Sequence, residues 1–189
     1  MTLARMESLA RLAERCAAEL EAPVGRYAAL VRQCLRGGGT VFFAGNGGSA
    51  AHAQHIATEY VVRYAAVRRR AAAALALTTD TSLLTAAAND LGYAEIFARQ
   101  IEAHGRTGDL LVLISTSGDS RNLLRAAEAA KAMGLVTVGL LARGGGKLAP
   151  LVDLAVVVPT DDTAHAQELQ LAIDHHVCSV IEGELERER

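Results

Sequence analysis

Two short stretches of this 189-residue chain are dense in the residue types that cradle an anion: Gly45-Asn46-Gly47-Gly48-Ser49 and Ser115-Thr116-Ser117-Gly118-Asp119-Ser120. Glycines let a bound group approach the backbone, short hydroxyls donate to it, and the N–H groups at a helix start favour negative charge. One such loop could be no more than a tight strand-to-helix turn. Two of them tilt the balance toward a phosphate gripped by several hydroxyls. Gly45 to Ala50 also satisfies the dinucleotide pattern G-x-G-x-x-G/A. That fingerprint wants an acidic residue about 20 positions on, at the end of the next strand. The nearest candidate, Asp80, stands about thirty positions beyond the pattern, and no Lys follows the glycines as a P-loop would require.

Further chemistry sits on helices. His55 and Glu59 are four apart and so share a face, a spacing suited to metal binding or acid–base work but also to a plain surface pair. His52 lies on the same face, and spacing alone leaves its role open. Downstream, Gln167 is followed by His175-His176; at about 100° per residue only His175 can share a side with Gln167. Among Leu169, Leu171, Ala172, Ile173 and Val177 the two could equally be a satisfied buried polar pair. His55, Glu59, Gln167 and His175 together would form a nitrogen and oxygen donor set acceptable to zinc.

The elements that must position these groups are legible from the hydrophobic pattern. Five short apolar runs, Thr40 to Ala44, Ala72 to Leu77, Asp109 to Ile114, Val136 to Leu141 and Leu154 to Val158, read as strands. Helical periodicity follows at Ser49 to Tyr64, Ser82 to Ala88, Tyr93 to His104, Ser120 to Met133 and Asp162 to Glu188. This is the signature of an α/β fold with a parallel sheet, in which ligands sit outside the carboxyl ends of the strands. Ahead of it, residues 1–36 read as two helices, with Leu3, Met6, Leu9, Leu12, Cys16 and Leu20 as a stripe and Pro23 near the start of the second. The stripe either packs on its own domain or serves as an oligomer surface.

Composition narrows the partners. With 51% hydrophobic residues, the chain can build one domain with a real core. The formal charge of -2 provides no field for nucleic acid, and the basic run Arg68-Arg69-Arg70, without aromatics, reads as a solvated segment. Cys16, Cys34 and Cys178 are odd in number and lack a C-x-x-C pair, as expected of reduced buried thiols. Met1 to Leu20 mixes Arg, Glu and Leu, and no run reaches the ~18 apolar residues of a membrane span. The expectation is a cytoplasmic protein bound neither to membrane nor to nucleic acid.

Gly45-Asn46-Gly47-Gly48-Ser49, His55 through Glu59, Asn89-Asp90, Ser115-Thr116-Ser117-Gly118 with Ser120, Gly145-Gly146-Lys147, and Gln167-Glu168 with His175 together resemble the phosphoheptose isomerases of the sugar isomerase (SIS) domain family. The resemblance covers nearly the whole chain. It implies one three-layer, flavodoxin-like SIS domain over residues 1–189, with a helical hairpin at 1–36 that forms oligomer contacts and an α/β core at 37–189. It also implies a homotetramer with active sites at subunit interfaces, one Zn2+ per subunit, and a phosphorylated seven-carbon sugar as substrate. The implied reaction interconverts sedoheptulose 7-phosphate and D-glycero-D-manno-heptose 7-phosphate, the entry to nucleotide-activated heptoses. The matching positions make His55, Glu59, Gln167 and His175 metal ligands, with Glu59 as base and His175 as acid. Asn46, Gly47, Gly48, Ser49, Glu59, Asn89, Asp90, Ser115, Thr116, Ser117, Ser120 and Gln167 match substrate contacts.

The chemistry agrees with this. Moving a proton between C1 and C2 through an enediol needs a carboxylate, a proton donor for the oxygens and a cation for the developing charge. A carboxylate that coordinates a dication loses basicity, so Glu59 cannot be a tight ligand and a strong base at one instant. Departures from the family pattern are Gln170, where a His is frequent, His165-Ala166, where Arg-Ile is frequent, and His52. Arg63 could pair with Glu59, touch substrate or lie on the surface, and Cys178 reads as a structural thiol near His175. Two other functions use the same framework. A non-catalytic SIS scaffold that binds the replication initiator protein shares segments like Ala53-Gln54-His55, and a sugar-phosphate sensor would keep the hydroxyl loops. Neither needs the acid and base at positions 59 and 175.

Overall fold

A computed structural model describes residues 3–65 and 69–185 of the chain. Helices α1 (Ala4–Glu19) and α2 (Glu21–Arg36) precede β1 (Val41–Gly45), α3 (Gly48–Val61), β2 (Ala74–Ala76), α4 (Thr81–Asp90) and α5 (Ala98–His104). β3 (Leu110–Ser115), α6 (Arg121–Ala132), β4 (Val136–Ala142), β5 (Leu154–Val158) and α7 (Thr163–Leu185) follow. The strands form one parallel sheet in the order β2-β1-β3-β4-β5. This is the flavodoxin-like doubly wound order, whose crossovers put helices on both faces.

Alternation along β1 feeds both faces. Phe43 packs with Tyr27, Val31, Ile56 and Val177 under α2, α3 and α7, whereas Phe42 packs with Leu77, Phe97, Leu123 and Ala126 under α4, α5 and α6. The continuous apolar runs of β1 and β3 are buried at every position, as a strand covered on both sides requires.

The expected elements are present, with shifts that have physical causes. The second strand shrinks from the expected Ala72 to Leu77 to three residues, because Ala72 N–H is taken by the Tyr60 carbonyl at the end of α3. The helix expected over Tyr93 to His104 is divided. A 3-10 turn at Tyr93–Glu95 precedes α5, and the buried Ile96 and Phe97 between them both face the core. Asp80, the nearest candidate for a ribose-binding acid, instead caps α4 by accepting from Leu83 N–H at 2.9 Å. Asp162 does the same for α7 by accepting from His165 N–H, which holds its carboxyl below the usual range. The end of the helix expected to reach Glu188 lies outside the described residues.

The N-terminal stripe is graded in burial. Leu3 and Met6 are exposed, Leu9 and Leu12 half-buried, and Cys16 and Leu20 buried. α1 is tied to the start of α7 by Ser8 Oγ, 2.7 Å from His165 Nε2, and by Arg5 on Asp162. His165 thus serves α1–α7 contact, with Glu168 on its other ring nitrogen. Gln170, fully buried, donates to the Leu140 carbonyl at 2.9 Å and so ties α7 to β4. Among the described residues no helix is long and apolar enough to cross a membrane.

Candidate functional site

In this strand order the connections leave the sheet in opposite directions at β1 and β3, which opens a crevice at their carboxyl ends. Both loops singled out for phosphate chemistry border it. Asn46 and Asn122 exchange two amide hydrogen bonds of 2.9 and 2.8 Å, and the Tyr93 hydroxyl donates to Asn46 Oδ1 at 2.9 Å. Asn46 therefore couples the first loop to the start of α6. Asn122 and Tyr93 were not among the sequence candidates; the only signal was a polar residue at position 122 on the inner face of a helix, buried to 3% exposure.

Gly47 takes φ +57°, where a side chain is strained, and Gly48 leaves room for Gln167, whose Nε2 would stand 2.7 Å from any added Cβ. Ser49 is buried at the start of α3. Ser115 Oγ accepts from Gly118 N–H at 3.0 Å and so shapes the second loop from inside, while Thr116, Ser117 and Ser120 are half-buried. That loop is braced from behind. A Cβ on Gly118 would stand 2.0 Å from the Gly145 carbonyl oxygen, and one on Gly146 would stand 2.4 Å from that of Ser117. Two backbones are in direct contact there, and Leu148 N–H and Lys147 N–H bond to Gly118 O and Asp119 Oδ1. Asn89 and Asp90 bond to each other at the exposed end of α4.

The second group lies between α3 and α7. His55, Glu59 and His175 each bring one donor atom within 4.8 Å of the others. The Nε2 atoms of His55 and His175 are 2.9 Å apart, and Glu59 Oε1 is 3.6 Å from His55 Nε2. His55 is exposed, and Glu59 and His175 are half-buried. The ring of Tyr64 lies against His175 with centroids 5.3 Å apart.

The segment carrying Tyr64 is held by a buried carboxylate. Glu182 accepts from Tyr64 N–H at 2.8 Å, Ala65 N–H at 2.7 Å and Arg69 Nε at 2.9 Å, and Arg69 also donates to the Glu59 carbonyl. The Arg69 side chain is only 2% exposed. The expectation of a solvated basic segment therefore fails at Arg69, because this buried carboxylate takes its charge; Arg68 lies outside the described residues. Arg63 is exposed.

The structure does not place Gln167 with the triad. It stands eight residues before His175, about 12 Å along α7, with its amide against Gly48. Helical angle alone put the two on neighbouring sides; the axial rise separates them. His52 turns inward, away from the triad, with Nε2 2.8 Å from Asp174 Oδ2. His176 is exposed on the far side of α7, in an apolar groove of about 560 Å³ that α1 and α2 line. Cys178 is buried beside Tyr60, and desolvation pushes its thiol well up.

The donor chemistry of the triad fits a divalent cation. Two imidazole nitrogens on one tetrahedral cation, at ~2.0–2.1 Å each, lie about 3.3 Å apart. The observed 2.9 Å is within a small side-chain adjustment of that. A carboxylate completes three of four positions, which leaves one open in the manner of catalytic zinc sites.

Comparison with known proteins gives the family. The SIS domain family model matches residues 6–142. A phosphoheptose isomerase of Paramagnetospirillum magneticum is 53% identical over 157 residues, 82% of this chain and 81% of the relative. Solved structures of phosphoheptose isomerases from Neisseria gonorrhoeae and Francisella tularensis superpose with TM-scores of 0.90 and 0.92 at 39% and 33% identity. Each match covers 95% of this chain, and 96% and 95% of theirs.

Proposed function

The chain belongs to the SIS-domain phosphoheptose isomerases, aldose–ketose isomerases that act on sedoheptulose 7-phosphate, and we propose that it does so through His55, Glu59 and His175 around one divalent cation. The observation that carries this is the convergence of three metal-competent donors from α3 and α7 within 4.8 Å.

Glu59 takes the proton from the carbon next to the carbonyl and returns it to the neighbouring carbon. His175 moves a proton on the oxygen side. A cation held by these residues supplies positive charge beside the oxygens on which negative charge develops. The two oxygens of Glu59 can divide the work, one toward the cation and one toward the carbon acid. At the other end, Ser115, Thr116, Ser117 and Ser120, with Asn46, Gly47, Gly48 and Ser49, hold the phosphate and orient the chain. Binding energy far from the reacting carbons is thereby used for alignment. Asn89 and Asp90 contact sugar hydroxyls.

The cation is Zn2+, one per subunit, and Gln167 belongs to its environment. Its distance from His175 within one chain supports sites assembled at the interfaces of a homotetramer, where groups beyond this chain's own triad complete the coordination. Residues 1–36, with the apolar groove beside His176, supply oligomer contacts to a single SIS domain, and the enzyme works in the cytoplasm. A scaffold or a sensor would have no use for a carboxylate and an imidazole aimed at one point.

The test is conversion of sedoheptulose 7-phosphate by purified protein after chelation and zinc add-back, beside Glu59→Gln and His175→Gln. Activity that follows the metal and disappears in both variants supports the assignment. Full turnover in the chelated wild type, or in either variant, sinks it.

A further inference from the structure

Beneath the triad, on the side away from solvent, a carboxylate is buried completely. Asp174 directly precedes His175 on α7 but faces inward, with 0% of its side chain exposed. Its Oδ1 accepts from the Tyr27 phenol of α2 at 2.7 Å, and its Oδ2 lies 2.8 Å from His52 Nε2 of α3. Tyr27 is itself fully buried and His52 nearly so. A buried carboxylate is costly unless it is partnered; here one oxygen accepts the Tyr27 hydrogen bond from α2, and the other is in close ion-pair contact with the His52 ring of α3 but outside hydrogen-bond geometry.

The location matters because the triad spans two helices. His55 and Glu59 come from α3 and His175 from α7, so the three donors converge only in one register of α7 against α3. The apolar contact between these helices, through Ala53, Ile56, Ala57, Val177 and Cys178, is built of small or smooth side chains and is non-directional. Moving α7 by one residue shifts His175 about 1.5 Å along the axis and turns it about 100°, whereas a metal site tolerates ~0.2 Å in its bond lengths. A directional contact beside the donors is what would fix that register. Asp174 is one residue from His175, and His52 is one turn before His55.

We propose that Tyr27, Asp174 and His52 form a positioning group that locks α7 against α3 and thereby holds His175 on the His55–Glu59 pair. This rests on the reading of the triad as a metal site. None of the three touches the cation or the substrate; they act through the helices that carry its ligands.

The experiment compares wild type with Asp174→Leu, Asp174→Asn and Tyr27→Phe, all checked for native circular dichroism. Zinc affinity is read by competition with a chromogenic chelator, and donor geometry by the visible absorption of the Co2+-loaded protein. Leu fills similar space but pairs with neither neighbour, so zinc affinity falls 10- to 100-fold, the range for removing a partner behind a metal ligand, and the Co2+ bands change. Asn keeps an oxygen that accepts from Tyr27 and a polar group of the same shape against His52, so it stays within about threefold of wild type. That rescue separates positioning by directed bonds from mere filling of space. Tyr27→Phe removes one hydroxyl and keeps the ring. It gives a smaller loss in the same direction, and it decides the matter should the Leu variant not fold. Wild-type zinc affinity and Co2+ bands in a folded Leu variant, or in Tyr27→Phe, overturn the proposal. A wild type that binds neither ion overturns the metal reading instead, and this inference with it.

Discussion

Replacing Gly118 by alanine isolates what the contact behind the phosphate loop contributes. Two costs add. At φ +69° an L side chain is strained by about 1–2 kcal/mol. The new Cβ would also stand 2.0 Å from the Gly145 carbonyl oxygen and 2.5 Å from its carbon, both backbone atoms that cannot rotate away. Overpacking of that kind costs about 1–3 kcal/mol, so the sum is roughly 2–5 kcal/mol. Gly38 provides the control: its φ is +77°, but nothing lies within 4 Å of its Cβ position, and it sits before β1 at the end of the sheet remote from the loops. Gly38→Ala carries the strain alone, about 1–2 kcal/mol. Urea unfolding of the two variants should differ by the clash, about 1–3 kcal/mol. Relief of the clash must move Ser115 to Ser120 or the strand end opposite. Gly118→Ala is therefore expected to raise KM for sedoheptulose 7-phosphate at least tenfold, while Gly38→Ala leaves KM unchanged. Equal destabilisation of the two, or an unchanged KM in Gly118→Ala, would refute the claim that this brace shapes the phosphate grip.

Other consequences can be checked as directly. Glu182→Leu strips Arg69 and the Tyr64 and Ala65 amides of a buried acceptor, so urea unfolding should show a loss of about 3–5 kcal/mol, with limited proteolysis newly cutting between α3 and β2. A double-mutant cycle with Asn46→Ala and Asn122→Ala should give costs well short of additive, because either change removes both amide bonds; additive losses in the same unfolding assay would contradict the reciprocal pair. Burial pushes the Cys34 thiol from its ordinary 9.0 up to about 12. The folded state thus holds the thiol proton more tightly, which stabilises fully below pH 9 and is lost as pH rises toward 12. The stability gap between wild type and Cys34→Ala should narrow over that window in alkaline thermal melts. In native protein at pH 8, Cys34 and Cys178 should resist a thiol reagent until denaturant is added.

The sheet could be read almost strand for strand because continuous apolar runs ending in small-residue loops have few other uses. Leu154 to Val158 matches to the residue, and the others shift by one or two at their ends. The exception, at Ala72, was set by a hydrogen bond to Tyr60 across the helix–strand connection, which no local pattern encodes. At the site, spacing sufficed for His55 and Glu59, which share one helix. Bringing His175 to them depends on how α7 packs on α3, and here the family resemblance rather than geometry supplied the pairing. For Gln167 angular reasoning left out the axial rise, which sets it about 12 Å from His175 along α7. His52 was ambiguous for a related reason: facing the same side as His55 does not say which neighbour waits there, and the answer, Asp174, came from a different helix. Asn122, Tyr93 and Glu182 carried no motif, since their roles arise only from tertiary contact.

The shortness of β2 bears on how the protein behaves in a crowded solution. An open parallel sheet has two unpaired borders, and any extended chain that meets one can be templated onto it. β2 forms one of them with only Ala74 to Ala76, although its Leu75 is 43% exposed. Three residues offer too few free amides and carbonyls to recruit a foreign strand, and the chain leading into them is already committed through Ala72 to Tyr60 and through Arg69 to Glu182. The bonds that position Tyr64 thus also keep this border from lengthening. A variant that loses them is expected to show its defect first as self-association on storage.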